Sequence, residues 1–187
     1  MNEPSDRSDL AAAWTAAAEP FTAVVESVQD WSAASSCEGW TAADVLDHVM
    51  QTQREFVERH GREVPLWDGE PEQPEQQWFK HQAAMAALIG DEDFAAQSME
   101  TPFGPSTVGQ TLLGFYGFDL IVHRWDIARS QGRDEQLTDA ELNTVDAAVD
   151  GFGEHAYAPG IFQEPVDVPA GATRQQQVLA RTGRSAV

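Results

Sequence analysis

Apolar residues recur at three- and four-residue spacings in successive blocks of the chain. The first block is Leu10, Trp14, Ala17, Phe21, Val24, Val25 and Val28. It predicts an amphipathic helix from Ser5 or Asp6 to about Asp30, kinked or split at Pro20. After the loop SAASSCEGW, Thr41 reads as an N-cap with Asp44 three residues on, a capping-box-like start. The second helix is expected from Ala42 to His60, with Val45, Val49, Thr52 and Phe56 inward and Gly61 past its end. The polar, Pro-rich stretch REVPLWDGEPEQPEQQ predicts a loop, and a third helix follows from about Pro74 to Ile89. DEDFAAQSMETPFGPSTVG reads as irregular with at most a short extended piece. A fourth helix is expected from Ser106 or Thr107 to Gln131, and a fifth from Thr138 to about Glu154, with Glu141 closing a capping box.

No segment shows a clean period-two alternation, so no strand is predicted. The class is all-α, a four-helix bundle with long crossover connections and one extra C-terminal helix. Residues 1–156 would form the bundle domain and residues 157–187 a tail lying over its surface, ending in a basic stretch with Arg174, Arg181 and Arg184.

Charge narrows the function classes. Among 187 residues there are 31 acidic and 11 basic ones, a formal net charge of −20, and Lys80 is the sole lysine. Binding to nucleic-acid backbones or anionic lipid needs a basic footprint, so both are excluded as partners. The N-terminus MNEPSDRSDL lacks the basic start and apolar core of a signal peptide, and no apolar run is long enough to span a membrane. Cys37 is the single cysteine, so no intrachain disulfide forms. A soluble cytoplasmic protein is expected.

Candidate chemistry comes from the histidines. Asp119 and His123 stand four residues apart, one turn of helix, on the face that carries Leu112, Tyr116, Leu120 and Ile127. An isolated carboxylate on such a face is costly, so the pair must be bonded to each other or to something bound. His48 borders the inward stripe of the second helix. Two imidazoles and one carboxylate from two helices are a common way to build a metal site in a bundle, with coordination positions left open for water or substrate. A buried Asp119–His123 hydrogen bond without metal satisfies the same spacing. The remaining histidines read as non-ligands: His60 in a last helical turn, His81 on a solvated helix, His155 at a helix end. Cys37 and Trp40 read as packing residues, Trp125 as core, and Asp126 as a capping residue or a partner of Arg129. Asp44 and Glu55 share a helix with His48 and can reach the site as outer groups.

Two segments carry a resemblance. Ser35-Ser36-Cys37-Glu38-Gly39-Trp40-Thr41-Ala42-Ala43-Asp44-Val45-Leu46-Asp47-His48-Val49 resembles the opening of the second helix in the mycothiol-dependent, maleylpyruvate isomerase-like proteins of the DinB-like superfamily, of actinobacterial type. Thr101-Pro102-Phe103-Gly104-Pro105, with Asp119-Leu120-Ile121-Val122-His123-Arg124-Trp125-Asp126 and Gly132-Arg133, resembles the family's second signature, and the ending through Val166-Asp167-Val168-Pro169 to Gly183-Arg184 its finish. The resemblance implies a metal held by His48, Asp119 and His123; this ligand set suits zinc as the divalent ion, with nickel or another first-row ion as alternatives. It also implies a low-molecular-weight thiol such as mycothiol as cosubstrate. The isomerase resembled here has a further C-terminal domain, so its substrate-binding residues do not transfer.

Three functions follow as expectations. The leading one is a metal-dependent thiol transferase or isomerase acting on a small-molecule substrate. A non-enzymatic small-molecule or stress-ligand binding module on the same bundle is the alternative. The third is a plain helical bundle, as a homodimer, in which Asp119 bonds His123 and His48 lies too far away to share a ligand.

Overall fold

The computed structural model describes residues 5–65, 73–158 and 161–186. Residues 66–72, within the expected crossover loop, lie outside it. Helix α1 (Ser5–Glu26) runs through Pro20 without interruption and ends a turn before the expected Asp30. The bond that Pro20 cannot donate would end on the carbonyl of Ala16, an exposed residue. Trp14, Ala18, Phe21 and Val25 form its buried face. Helix α2 (Ala42–Arg59) begins with the expected capping box between Thr41 and Asp44. It ends at His60 and Gly61, where the Gly61 and Arg62 amides bond the carbonyls of Glu58 and Val57. Helix α3 (Pro74–Gly90) has proline in its first turn, where a missing amide costs nothing. With α6 (Gly117–Ser130), these helices form the four-helix bundle: α1 packs on α3 and α6, and α2 on α6 and α3. Phe21 meets Trp78 in its interior at 4.7 Å between ring centroids.

Between α3 and α6 the chain makes a one-turn helix α4 (Glu92–Ala95), then strands β1 (Ser98–Thr101) and β2 (Gly104–Thr107) and a turn of helix α5 (Val108–Thr111). The two strands form an antiparallel hairpin in which Ser98 pairs Thr107 and Thr101 pairs Gly104. This corrects the expectation of no strand. The strands are four residues each, and neither SMET nor GPST alternates in hydrophobicity. The expected fourth helix is likewise interrupted by a π-helical turn, Leu112–Tyr116, that feeds α6.

Helix α6 is buried on two sides. Leu120, Ile127 and Ala128 face the bundle core, while Val122 and Trp125 join a second cluster with Leu142, Val145, Val178 and Leu179. That cluster holds α7 (Asp139–Phe152), capped by the expected Thr138–Glu141 box, and α8 (Arg174–Arg181). The tail therefore carries a helix that was not expected, packed on α7. Its Arg181 pairs with Asp146 and Asp150 of α7. Among the described residues no helix is long and apolar enough to cross a membrane.

His81 also departs from expectation. It is 4 % exposed, on the stripe Trp78, His81, Met85 and Ile89, and its Nε2 meets Gln53 Oε1 at 2.9 Å. Burial, and after it Arg54, lowers its pKa to about 3, so the folded protein holds it neutral. Unfolded, it protonates near the ordinary value of about 6.5. Between those values the unfolded chain binds the extra proton, so this contribution to stability is full above about pH 6.5 and falls with acid. Urea unfolding of His81→Gln should therefore lose about 2–3 kcal/mol less than the parent between pH 7 and pH 4.5. Equal losses in both proteins would show that His81 is not the titrating group.

Candidate metal centre

The loop before α2 is built to place its first turns. Ser35 N bonds Trp40 O at 2.8 Å, and Ala42 N bonds Ala33 O at 2.9 Å. The Thr41–Asp44 box then fixes the helix start, and His48 follows two turns later, half-buried, with the Trp40 ring 4.9 Å away. Trp40 thus packs, as expected, and its packing surface is the candidate ligand itself. Asp44 remains an exposed capping residue.

On α6 the residues Asp119, His123 and Asp126 follow at intervals of four and three, one face of the helix. His123 Nε2 stands 3.3 Å from Asp119 Oδ1, and its Nδ1 stands 2.9 Å from Asp126 Oδ2. The imidazole rings of His48 and His123 lie 5.3 Å apart. Each of His48, Asp119 and His123 offers a donor atom, all within 4.8 Å of one another. The structure thus brings the three expected residues together, which the plain-bundle reading did not allow.

The donor set suits a divalent ion. Ligand atoms on one tetrahedral zinc stand about 3.4 Å apart, given bonds of about 2.1 Å. The Asp119–His123 pair already has that spacing, and at most about 1.4 Å of closure is left for His48. A second grouping, Cys37, His123 and Asp126, also converges. There, however, both Asp126 oxygens are already engaged by protein groups, so the His48 set is the one whose donors serve the cavity.

Asp126 was expected to cap or to pair with Arg129. Instead it is 0 % exposed and its partner is Arg184. Arg184 Nη2 lies 2.9 Å from Oδ2 and Nε 3.2 Å from Oδ1, while Nη1 donates to Thr182 O at 2.8 Å. The Ser36 hydroxyl donates to the same carboxylate, and Cys37 Sγ lies 3.4 Å from it. Burial pushes the Asp126 carboxyl up, but Arg184 and His123 outweigh it and hold it far below the usual range. Burial likewise opposes protonation of His123, and Asp119 and Asp126 overcome it, holding the imidazole well above its ordinary value. His48 is pulled down, by burial first and then by His123. A histidine with one nitrogen tied to a buried carboxylate presents the other in a fixed orientation, which is how outer groups tune metal ligands.

Arg184 and α8 are what the sequence reading missed. Thr173 with Gln176 forms a capping box. Gly183 closes the helix at φ +80°, with its amide and that of Arg184 bonding the Ala180 and Leu179 carbonyls. A side chain at Gly183 would also clash with Gln163. Both signals are local and readable. The contact they set up, Arg184 to Asp126, spans 58 residues and has no local signature.

The donors open on a cavity of about 680 Å³ that also has Glu55, Tyr116, Phe118 and Phe162 in its wall. Burial raises the Tyr116 pKa to about 12, against Arg59, so its hydroxyl stays protonated. Trp125 is core, 1 % exposed. His60 caps α2, its Nδ1 2.8 Å from Phe56 O.

The model of the family described as the mycothiol maleylpyruvate isomerase N-terminal domain matches residues 10–128. Neither the curated proteins nor the solved structures give a match. The matched span holds His48, Asp119, His123 and Asp126, whereas α7, α8 and Arg184 come after it. With well over half of the chain matched and a helical bundle carrying the donor cluster, the chain belongs to the mycothiol maleylpyruvate isomerase N-terminal domain family, a DinB-like family.

Proposed function

We propose that the protein is a metal-dependent transferase or isomerase that uses a low-molecular-weight thiol of the mycothiol type. The observation that carries this reading is the convergence of His48, Asp119 and His123 donors within 4.8 Å on the wall of a ligand-sized cavity. These residues would hold a divalent ion, zinc by the nitrogen and oxygen donor set, with nickel the runner-up. When bound, such an ion supplies Lewis acidity and lowers the pKa of a thiol or water in its open position. The chain does the rest. Asp126 keeps the Nδ1 side of His123 occupied, so Nε2 points at the cavity. Arg184 keeps Asp126 ionised and in place. Phe118 and Tyr116 give the cavity wall beside the donors an aromatic surface.

Protein purified without chelator should carry about one divalent ion per chain by elemental analysis. It should conjugate a thiol to an electrophile at a rate that chelator abolishes and added zinc restores. Bound metal with no turnover over a panel of electrophiles would favour a small-molecule binding module on the same bundle. Absence of zinc and nickel binding by calorimetry would overturn both readings.

A further inference from the structure

A second cavity, about 610 Å³, adjoins the first: Arg59, Phe115, Tyr116 and Phe118 line both. Its chemistry is different. The hairpin closes one side with Met99 and Phe103, and α7 closes the other with Ala147, Ala148 and Phe152. Phenylalanine rings meet edge-on around it: Phe103 with Phe152 at 5.6 Å, Phe115 with Phe152 at 5.7 Å and Phe115 with Phe118 at 5.5 Å between centroids. Phe103 is nevertheless 62 % exposed and Phe115 37 % exposed, so this ring cluster is not sealed into a core.

Two glycines leave the space open. Gly151 lies inside α7, and a Cβ there would meet only Phe103 Cε1, at 3.9 Å. Gly114 lies in the π-helical turn, and a Cβ there would meet nothing within 4 Å. Neither has the positive φ that calls for glycine, and glycine is a poor helix former. Backbone geometry therefore does not require glycine at either position, and both face the unfilled volume. The π-helical turn, a feature that recurs at functional sites, also brings Phe115 and Tyr116 to the border between the cavities.

We infer that the apolar cavity holds the aromatic, non-reacting body of an electrophilic substrate whose reactive carbon reaches the donor cluster past Phe115 and Tyr116. This rests on the thiol-conjugation reading and names its substrate class. The alternation of ring edges and an open slot of this size suit a ring ligand, which gains edge-to-face contact beyond simple burial. A small, highly polar acid would leave this cavity unused.

The test is a binding measurement that needs no metal and no turnover. 8-Anilinonaphthalene-1-sulfonate, an aromatic probe that brightens on leaving water, is titrated into chelator-treated protein. Saturable one-to-one binding is expected, weakened at least tenfold in Gly151→Leu, whose side chain enters the cavity from α7. Because leucine is the better helix former, that variant should keep its fold, as circular dichroism would confirm. Gly114→Leu fills the cavity from the π-helical turn and should weaken binding in the same way. No one-to-one binding, or binding that neither leucine weakens, would overturn the inference. Zinc titration of the same samples judges the donor cluster separately, so loss of one reading is told apart from loss of the other.

Discussion

Replacing Asp126 by alanine is expected to cost about 3–5 kcal/mol of unfolding free energy, the largest stability loss of any single substitution at the site. The reason is the neighbour left behind. Arg184 is buried, and burial alone would disfavour its charge; Asp126 is the group that sustains it. Without the carboxylate the guanidinium keeps its bond to Thr182 O and a long one, 3.8 Å, to Cys37 Sγ, neither of which carries a compensating carboxylate charge, and it faces a desolvation penalty. The His123 Nδ1 and the Ser36 hydroxyl lose their acceptor as well. Removing both charges together should be milder, because a buried pair replaced by apolar groups is often close to neutral. Urea unfolding of Asp126→Ala, Arg184→Met and the double variant forms a closed cycle. A double variant as unstable as the sum of the singles would show that the two residues do not act as a pair.

Zinc affinity should fall more than about 100-fold in His123→Ala, which removes a proposed ligand, against about 10- to 100-fold in Asp126→Asn, which alters the group proposed to orient it. His123 is where the two layers of the site meet. Its Nε2 belongs to the donor cluster and its Nδ1 to the Asp126 network. Calorimetric titration with zinc checks the order of the two effects. Equal losses would place Asp126 among the ligands, and an unchanged affinity in His123→Ala would remove His123 from them. Thiol-conjugation activity should follow the same order.

Local signals carried most of the fold. Thr41 with Asp44 and Thr138 with Glu141 start α2 and α7 as their spacing predicts, because a capping box is a contact between residues three apart. Gly61 and Gly132 end α2 and α6 for a similarly local reason. The pairing of Asp119 with His123 was legible from helical period alone. His81 belongs to the buried stripe by its spacing from Trp78 and Met85, which its polar side chain disguises. The hairpin escaped because four-residue strands hold too few positions to alternate. Arg184 escaped for a deeper reason. Its partner is fixed by how α8 lies on α7 and α7 on α6, a tertiary arrangement that no window of sequence contains.

That arrangement has a consequence for the order in which the protein becomes complete during synthesis. The four bundle helices are all present once Ser130 has been made, and their core can close around α6 from that moment. Asp126 then stands on α6 before its guanidinium partner exists in the chain. More than fifty further residues must leave the ribosome, and α7 and α8 must dock, before Arg184 neutralises it. A contact so distant along the chain is slow to form and comes late. The bundle before Arg184 is made is therefore a different electrostatic object from the bundle with Arg184 docked, and the candidate metal centre acquires its fixed His123 only after α8 has packed.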